Sequence, residues 1–120
     1  MVVEIGHIKE GTEFTVSLAV DDENEEPAFL SVGWQPILYA HPYSYQMNLE
    51  PGRAGAHTQR CPPVSEYCGI EILVELAKDG TGDAELGKAT LTISGLENQT
   101  GPKQLSITRN GLYCLEIIPA

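Results

Sequence analysis

Apolar side chains recur at every second position over Glu13–Val20, where Phe14, Val16, Leu18 and Val20 fall on one side and mostly small or polar residues on the other. A period of two sends successive side chains to opposite faces of an extended chain, so the segment predicts a half-buried antiparallel strand. Ile70, Ile72, Val74 and Leu76 repeat the pattern with Glu71 and Glu75 outward, and Leu91 with Ile93 does so between Thr90, Thr92 and Ser94. Leu105 with Ile107, then Tyr113, Leu115 and Ile117, complete the set. Turn formers separate these runs at Glu10-Gly11, Asp79-Gly80-Thr81-Gly82-Asp83, Thr100-Gly101-Pro102 and Asn110-Gly111, the last being a two-residue hairpin signal. No segment carries a helical period. About eight strands joined by short polar turns predict an all-β chain, an antiparallel β-sandwich or jelly roll.

The alternation breaks between residues 33 and 68. Here Gly33-Trp34-Gln35-Pro36-Ile37-Leu38-Tyr39-Ala40-His41-Pro42-Tyr43-Ser44-Tyr45 runs into a Gly/Pro-rich stretch that leads to Cys61 and Cys68. It reads as an irregular insert crossing one end or edge of the sandwich, and it holds most of the aromatic and His content. Residues of this kind between turn formers mark the place where recognition would sit. Pyranose rings stack an apolar C–H face on Trp or Tyr and present hydroxyls to donors and acceptors such as His and Gln. Trp34, Tyr39, Tyr43, Tyr45, His57 and Gln59 supply both. The competing reading has Trp34 closing the end of the core while the tyrosines pack loops and keep their hydroxyls in water.

A chain of 120 residues predicts one domain over 1–120, with room for a single core. No apolar run approaches the roughly 18 residues that a membrane span requires. Met1-Val2-Val3-Glu4 lacks the basic start and apolar stretch of a secretory signal, which leaves the compartment open between cytoplasm and export by another route. The net charge of −10, from 17 acidic against 7 basic residues, repels phosphate backbones and points away from nucleic acid. It suits either a basic protein partner or plain solubility, and the acidic loop Asp21-Asp22-Glu23-Asn24-Glu25-Glu26 reads first as solvated.

The 3 cysteines leave at least one unpaired. Cys61 and Cys68 bracket a Pro62-Pro63 loop that an oxidising compartment could close as a disulfide, and Cys114 reads as a small core residue. His57 gives no paired metal-ligand spacing with the cysteines, so the sequence points away from zinc. Asp79, Thr81, Asp83 and Glu85 place oxygens at alternate positions and match the opening of a calcium loop; an ordinary solvated turn has the same composition. Asn98-Gln99-Thr100 is a glycosylation acceptor sequence that matters only in a secreted eukaryotic chain. His7, His41 and His57 are scattered, and neither a nucleophile elbow nor a phosphate-cradling Gly motif is present, so no catalysis is expected.

Gly33-Trp34 with a Tyr a few residues on, Pro51-Gly52, His57 with Gln59, and Tyr67-Cys68-Gly69 before a strand resemble the bacterial galactophilic lectins of the PA-I type over about the middle third of the chain. In that family a calcium ion bridges protein and galactose while a Tyr, a His and a Gln line the sugar. The resemblance places these at Tyr39, His57 and Gln59. The family's calcium loop is replaced by Arg109-Asn110-Gly111, so no cofactor is expected, calcium being the one candidate. Lys9-Glu10-Gly11-Thr12-Glu13-Phe14-Thr15-Val16, the acidic loop and Leu30-Ser31 are similar to the start of nucleoplasmin-type histone chaperone cores over about a quarter of the chain. That resemblance implies an acidic module that assembles as an oligomer and binds basic proteins. The remaining alternative is a structural subunit of a larger β-assembly. The leading expectation is a non-catalytic module recognising carbohydrate of galactose type through the insert.

Overall fold

The computed structural model describes residues 2–77 and 85–120. Over these residues the protein is all-β, with no helix and nine strands: β1 (Val2–Lys9), β2 (Glu13–Val20), β3 (Ala28–Pro36), β4 (Tyr43–Leu49), β5 (Ala54–Arg60), β6 (Tyr67–Glu75), β7 (Ala89–Ser94), β8 (Lys103–Ile107) and β9 (Gly111–Ile118). They form a five-stranded sheet in the order β1-β9-β6-β3-β4 and a four-stranded sheet in the order β5-β2-β7-β8. Every pairing is antiparallel except β1 with β9, which run parallel.

The predicted alternations become the core. Phe14, Val16, Leu18 and Val20 of β2 are all buried, as are Leu91 and Ile93 of β7, and they join Leu30, Val32, Ile70, Ile72, Val74, Leu115 and Ile117 from the other sheet in one apolar cluster. Two sheets with one apolar face each therefore bury those faces against one another, the sandwich arrangement. Fully burying one such side chain contributes about 1.5–3 kcal/mol, so these positions hold the sheets together.

Two expectations change, and one strand is added. The stretch 33–68 is no irregular insert: it contains the end of β3, all of β4 and β5, and the start of β6. These strands escaped the alternation because β4 and β5 are edge strands, burying only Leu49 fully between them. Asn110-Gly111 makes no hairpin, since β8 and β9 lie in different sheets. Asn110 instead caps the end of β6: its Oδ1 accepts from the backbone N–H of Leu76 at 2.6 Å and of Ala77 at 3.3 Å, and its Nδ2 donates to the Ala77 carbonyl at 2.8 Å. Finally, β1 was not legible as a strand because it bulges between Glu4 and Gly6, where Gly6 takes φ +155, and the bulge throws its apolar residues out of period.

Candidate functional site

The aromatic residues gather where the two sheets end together. In the β3–β4 ladder Trp34 lies opposite Tyr43, Val32 opposite Tyr45 and Leu30 opposite Met47. Leu30 and Val32 point into the core, so Tyr43 and Tyr45 share that inward side, yet at the sheet edge no further strand covers them and they stay 41% and 38% exposed. Across the sandwich, β5 is the edge of the second sheet and sets Gln59 opposite Phe14, His57 opposite Val16 and Gly55 opposite Leu18. His57 and Gln59 therefore also face inward. The two edges meet directly: Tyr45 and His57 stack with ring centroids 4.0 Å apart and planes 9° from parallel. Two residues further along β5, a Cβ at Gly55 would lie 2.6 Å from Met47 Sδ and 2.9 Å from Leu49 Cδ2, so any side chain there would push the flexible ends of Met47 and Leu49 aside.

Polar groups thread the same edge. His57 Nε2 and Gln59 Oε1 are 2.6 Å apart; with the carboxamide oxygen as acceptor, the proton sits on Nε2. Gln59 Nε2 and Trp34 Nε1 are buried donors with no acceptor among the described residues. Trp34 packs against the core and is wedged between Tyr43, at 4.5 Å and 35°, and the edge of Tyr67, at 5.0 Å and 73°. Tyr67 is itself fixed by its hydroxyl, which donates to the His41 carbonyl at 2.6 Å. Trp34 thus does what the packing alternative expected of it, and also backs Tyr43. No family model, curated protein or solved structure matches this chain. The site therefore stands on its geometry.

Of the residues singled out from sequence, Trp34, Tyr43, Tyr45, His57 and Gln59 come together along this edge. Tyr39 does not join them: it occupies the β3–β4 turn with φ 79, is 94% exposed, and makes no ring contact among the described residues. Tyr67, through its contact with Trp34, and Met47 also pack at this site; the sequence had marked Tyr67 only within Tyr67-Cys68-Gly69 of the lectin resemblance and had not marked Met47. Tyr67 carried a signal as one more Tyr of the aromatic stretch; Met47 carried none, because its role is to fill the space that Gly55 leaves.

The cysteines are free thiols and form no Cys61–Cys68 bridge. Cys61 is buried and held at the β1–β2 turn, its N–H donating to the Thr12 carbonyl at 2.7 Å and its carbonyl accepting from Gly11 at 2.9 Å. Cys68 lies exposed on β6 where the register shifts opposite Gln35 and Pro36, its thiol 3.6 Å from the Gln35 carbonyl. The two sulfurs thus serve different strands. Burial, and then the nearby Glu10 carboxylate, push the Cys61 thiol up to about 11. Cys114 is only partly buried, because it shares the outer face of β9 with exposed Glu116 while Leu115 points inward. Its thiol is raised by burial and by Glu71 and Glu4 on the neighbouring strands.

For metals, Asp79, Thr81 and Asp83 lie outside the described residues, and Glu85 is exposed beside Asp21 and Glu23. Among the described residues, Glu4, His7 and Glu116 bring their ligand atoms within 4.8 Å of one another, with His7 Nε2 paired to Glu116 Oε2 at 3.1 Å. All three are exposed on the outer face, and nothing beyond the cluster itself marks an ion site there.

Proposed function

We propose that the protein is a non-catalytic binding module that takes neutral carbohydrate on the aromatic edge formed by β4 and β5. The observation that supports this is the pair of partly exposed tyrosines, each backed by a ring that fixes it: Tyr43 on Trp34 and Tyr45 on His57. A prearranged aromatic surface loses little conformational freedom on binding, and a pyranose C–H face stacks on such a surface. His57 and Gln59 beside it supply polar groups for sugar hydroxyls. Tyr39, which the lectin resemblance assigned to the sugar, is replaced in this reading by Tyr43 and Tyr45.

A glycan array probed with the whole protein, in calcium and then in chelator, tests the reading. Neutral glycans should bind, and Tyr43→Ala and Tyr45→Ala should each abolish the signal while far-UV circular dichroism stays unchanged. Binding that persists in chelator fits direct stacking, whereas loss in chelator assigns a calcium-dependent lectin. Silence on every glycan would refute the reading and leave a protein-interaction or assembly role.

A further inference from the structure

On the opposite side of the same sheet one aromatic residue lies outside the core. Ala28 and Leu30 of β3 are buried inward, so Phe29 between them faces out. It is half-buried without belonging to the core cluster. In the ladder Phe29 stands directly opposite Glu75 of β6 on one side and Asn48 of β4 on the other, which sets the three side chains in a row across three strands. Glu26 and Pro27, leading into β3, complete a depression of about 470 Å³ around them.

The charge in this depression is unbalanced. Among the described residues the ion pairs are His7–Glu116 and Lys9–Glu97, so neither Glu26 nor Glu75 has a basic partner. The loop between β2 and β3 that leads to Glu26 also carries exposed Asp22, Glu23 and Glu25, Glu23 lying in a separate depression beside Asp21, Glu85 and Lys88. That loop is pinned in place: Asn24 Nδ2 donates to the Lys88 carbonyl at 2.9 Å and its Oδ1 accepts from the Lys88 N–H at 2.8 Å. An aromatic floor walled by two unpaired carboxylates and an amide complements a cation that is flat and carries several donors. A guanidinium has this shape, stacking on a ring while its N–H groups reach carboxylates; an ammonium has no plane to stack.

We propose that this depression receives an arginine side chain of a basic protein partner, stacked on Phe29 and hydrogen-bonded by Glu26 and Glu75. The exposed carboxylates of the loop that precedes Glu26 raise the encounter rate with such a partner, an effect that salt screens. The surface is separate from the aromatic edge, and the inference does not rest on carbohydrate binding.

The test is fluorescence anisotropy of a labelled Gly-Arg-Gly-Arg-Gly peptide against the whole protein at low salt, beside the same peptide with lysine. The arginine peptide should bind more tightly than the lysine peptide. The double variant Glu26→Gln/Glu75→Gln should weaken it by about tenfold or more, the loss of a charge-assisted pair. The charge-matched variant Glu4→Gln/Glu116→Gln, remote on β1 and β9, should leave it unchanged. Phe29→Leu keeps an apolar side chain there and should erase the preference for arginine over lysine. No binding of the arginine peptide by the wild-type protein would overturn the proposal. So would equal weakening by the two double variants, which would reduce the effect to net charge.

Discussion

Tyr45 and His57 come from different sheets and lie face to face, ring centroids 4.0 Å apart. Among the described residues neither strand has a neighbour beyond it, since β4 ends the five-stranded sheet and β5 the four-stranded one. The stack is therefore a clasp across the open side of the sandwich. Aromatic pairs contribute about 0.5–1.5 kcal/mol beyond their area. A double-mutant cycle with Tyr45→Ala and His57→Ala, followed by urea denaturation, should return a coupling of that order; additive losses would mean that the rings do not support one another.

The cost of substituting Gly55 has a source that a second change can reveal. Gly55→Ala places a methyl against Met47 Sδ and Leu49 Cδ2, flexible side-chain ends that can shift, so the cost stays at about 1 kcal/mol, the low end for overpacking. Shortening the thioether in Gly55→Ala/Met47→Ala removes the nearest clash and should make the Gly55→Ala step less costly than it is in the wild-type background. A Gly55→Ala penalty that is the same with and without Met47 would locate the strain elsewhere.

Asn110 replaces a turn with side-chain bonds. Removing it strands the Leu76 and Ala77 N–H groups, and an orphaned donor costs about 1–3 kcal/mol. Asn110→Ala should lower the urea midpoint accordingly, whereas Asn110→Asp, which retains the acceptor, should recover part of the loss.

The alternation was legible in β2, β6, β7 and β9, which each lie between two strands with one face on the core, and in the edge strand β8 through Leu105 and Ile107. β3 is central too but was missed, because Phe29 on its outer face breaks the apolar-polar alternation of Ala28, Leu30 and Val32. The edge strands β4 and β5 carried no such signal. β4 exposes Tyr43, Ser44, Tyr45 and Gln46 in succession, so periodicity had nothing to detect, and its aromatic content was taken for a loop. The site was half-legible for the same reason: composition marked the tyrosines and His57, but only the pairing of β2 with β5 shows that His57 and Gln59 turn toward Tyr45 rather than to solvent. Cys114 was misplaced by one residue of alternation, the smallest error that exchanges inside for outside.

The three thiols should separate by reactivity. Exposed Cys68 should react first with a maleimide under native conditions, Cys114 more slowly, and buried Cys61 only on unfolding, as peptide mapping would show. The raised Cys61 thiol also ties stability to alkali. The folded state keeps its proton up to about 11 against an ordinary 9.0, so stability is fully present below pH 9 and falls as pH rises from about 9 to about 11. The loss is of order 2 kcal/mol, and Cys114 and Tyr113, shifted the same way, add to it. Cys61→Ala should flatten this limb in denaturation curves taken across that range; an unaltered slope would assign it to the other groups.

The parallel pairing of β1 with β9 bears on how the protein would respond to tension. Val2 lies beside Leu112 and Lys9 beside Ile118, so the first strand begins at one end of the ladder and the last strand finishes at the other. A pull between those two points runs along the strands and across their hydrogen bonds. Every rung then shares the load in shear, and none can be opened before the rest. A hairpin pulled at its open end peels apart one rung at a time; this sandwich, stretched between its first and last strands, would have to break a whole ladder in a single step.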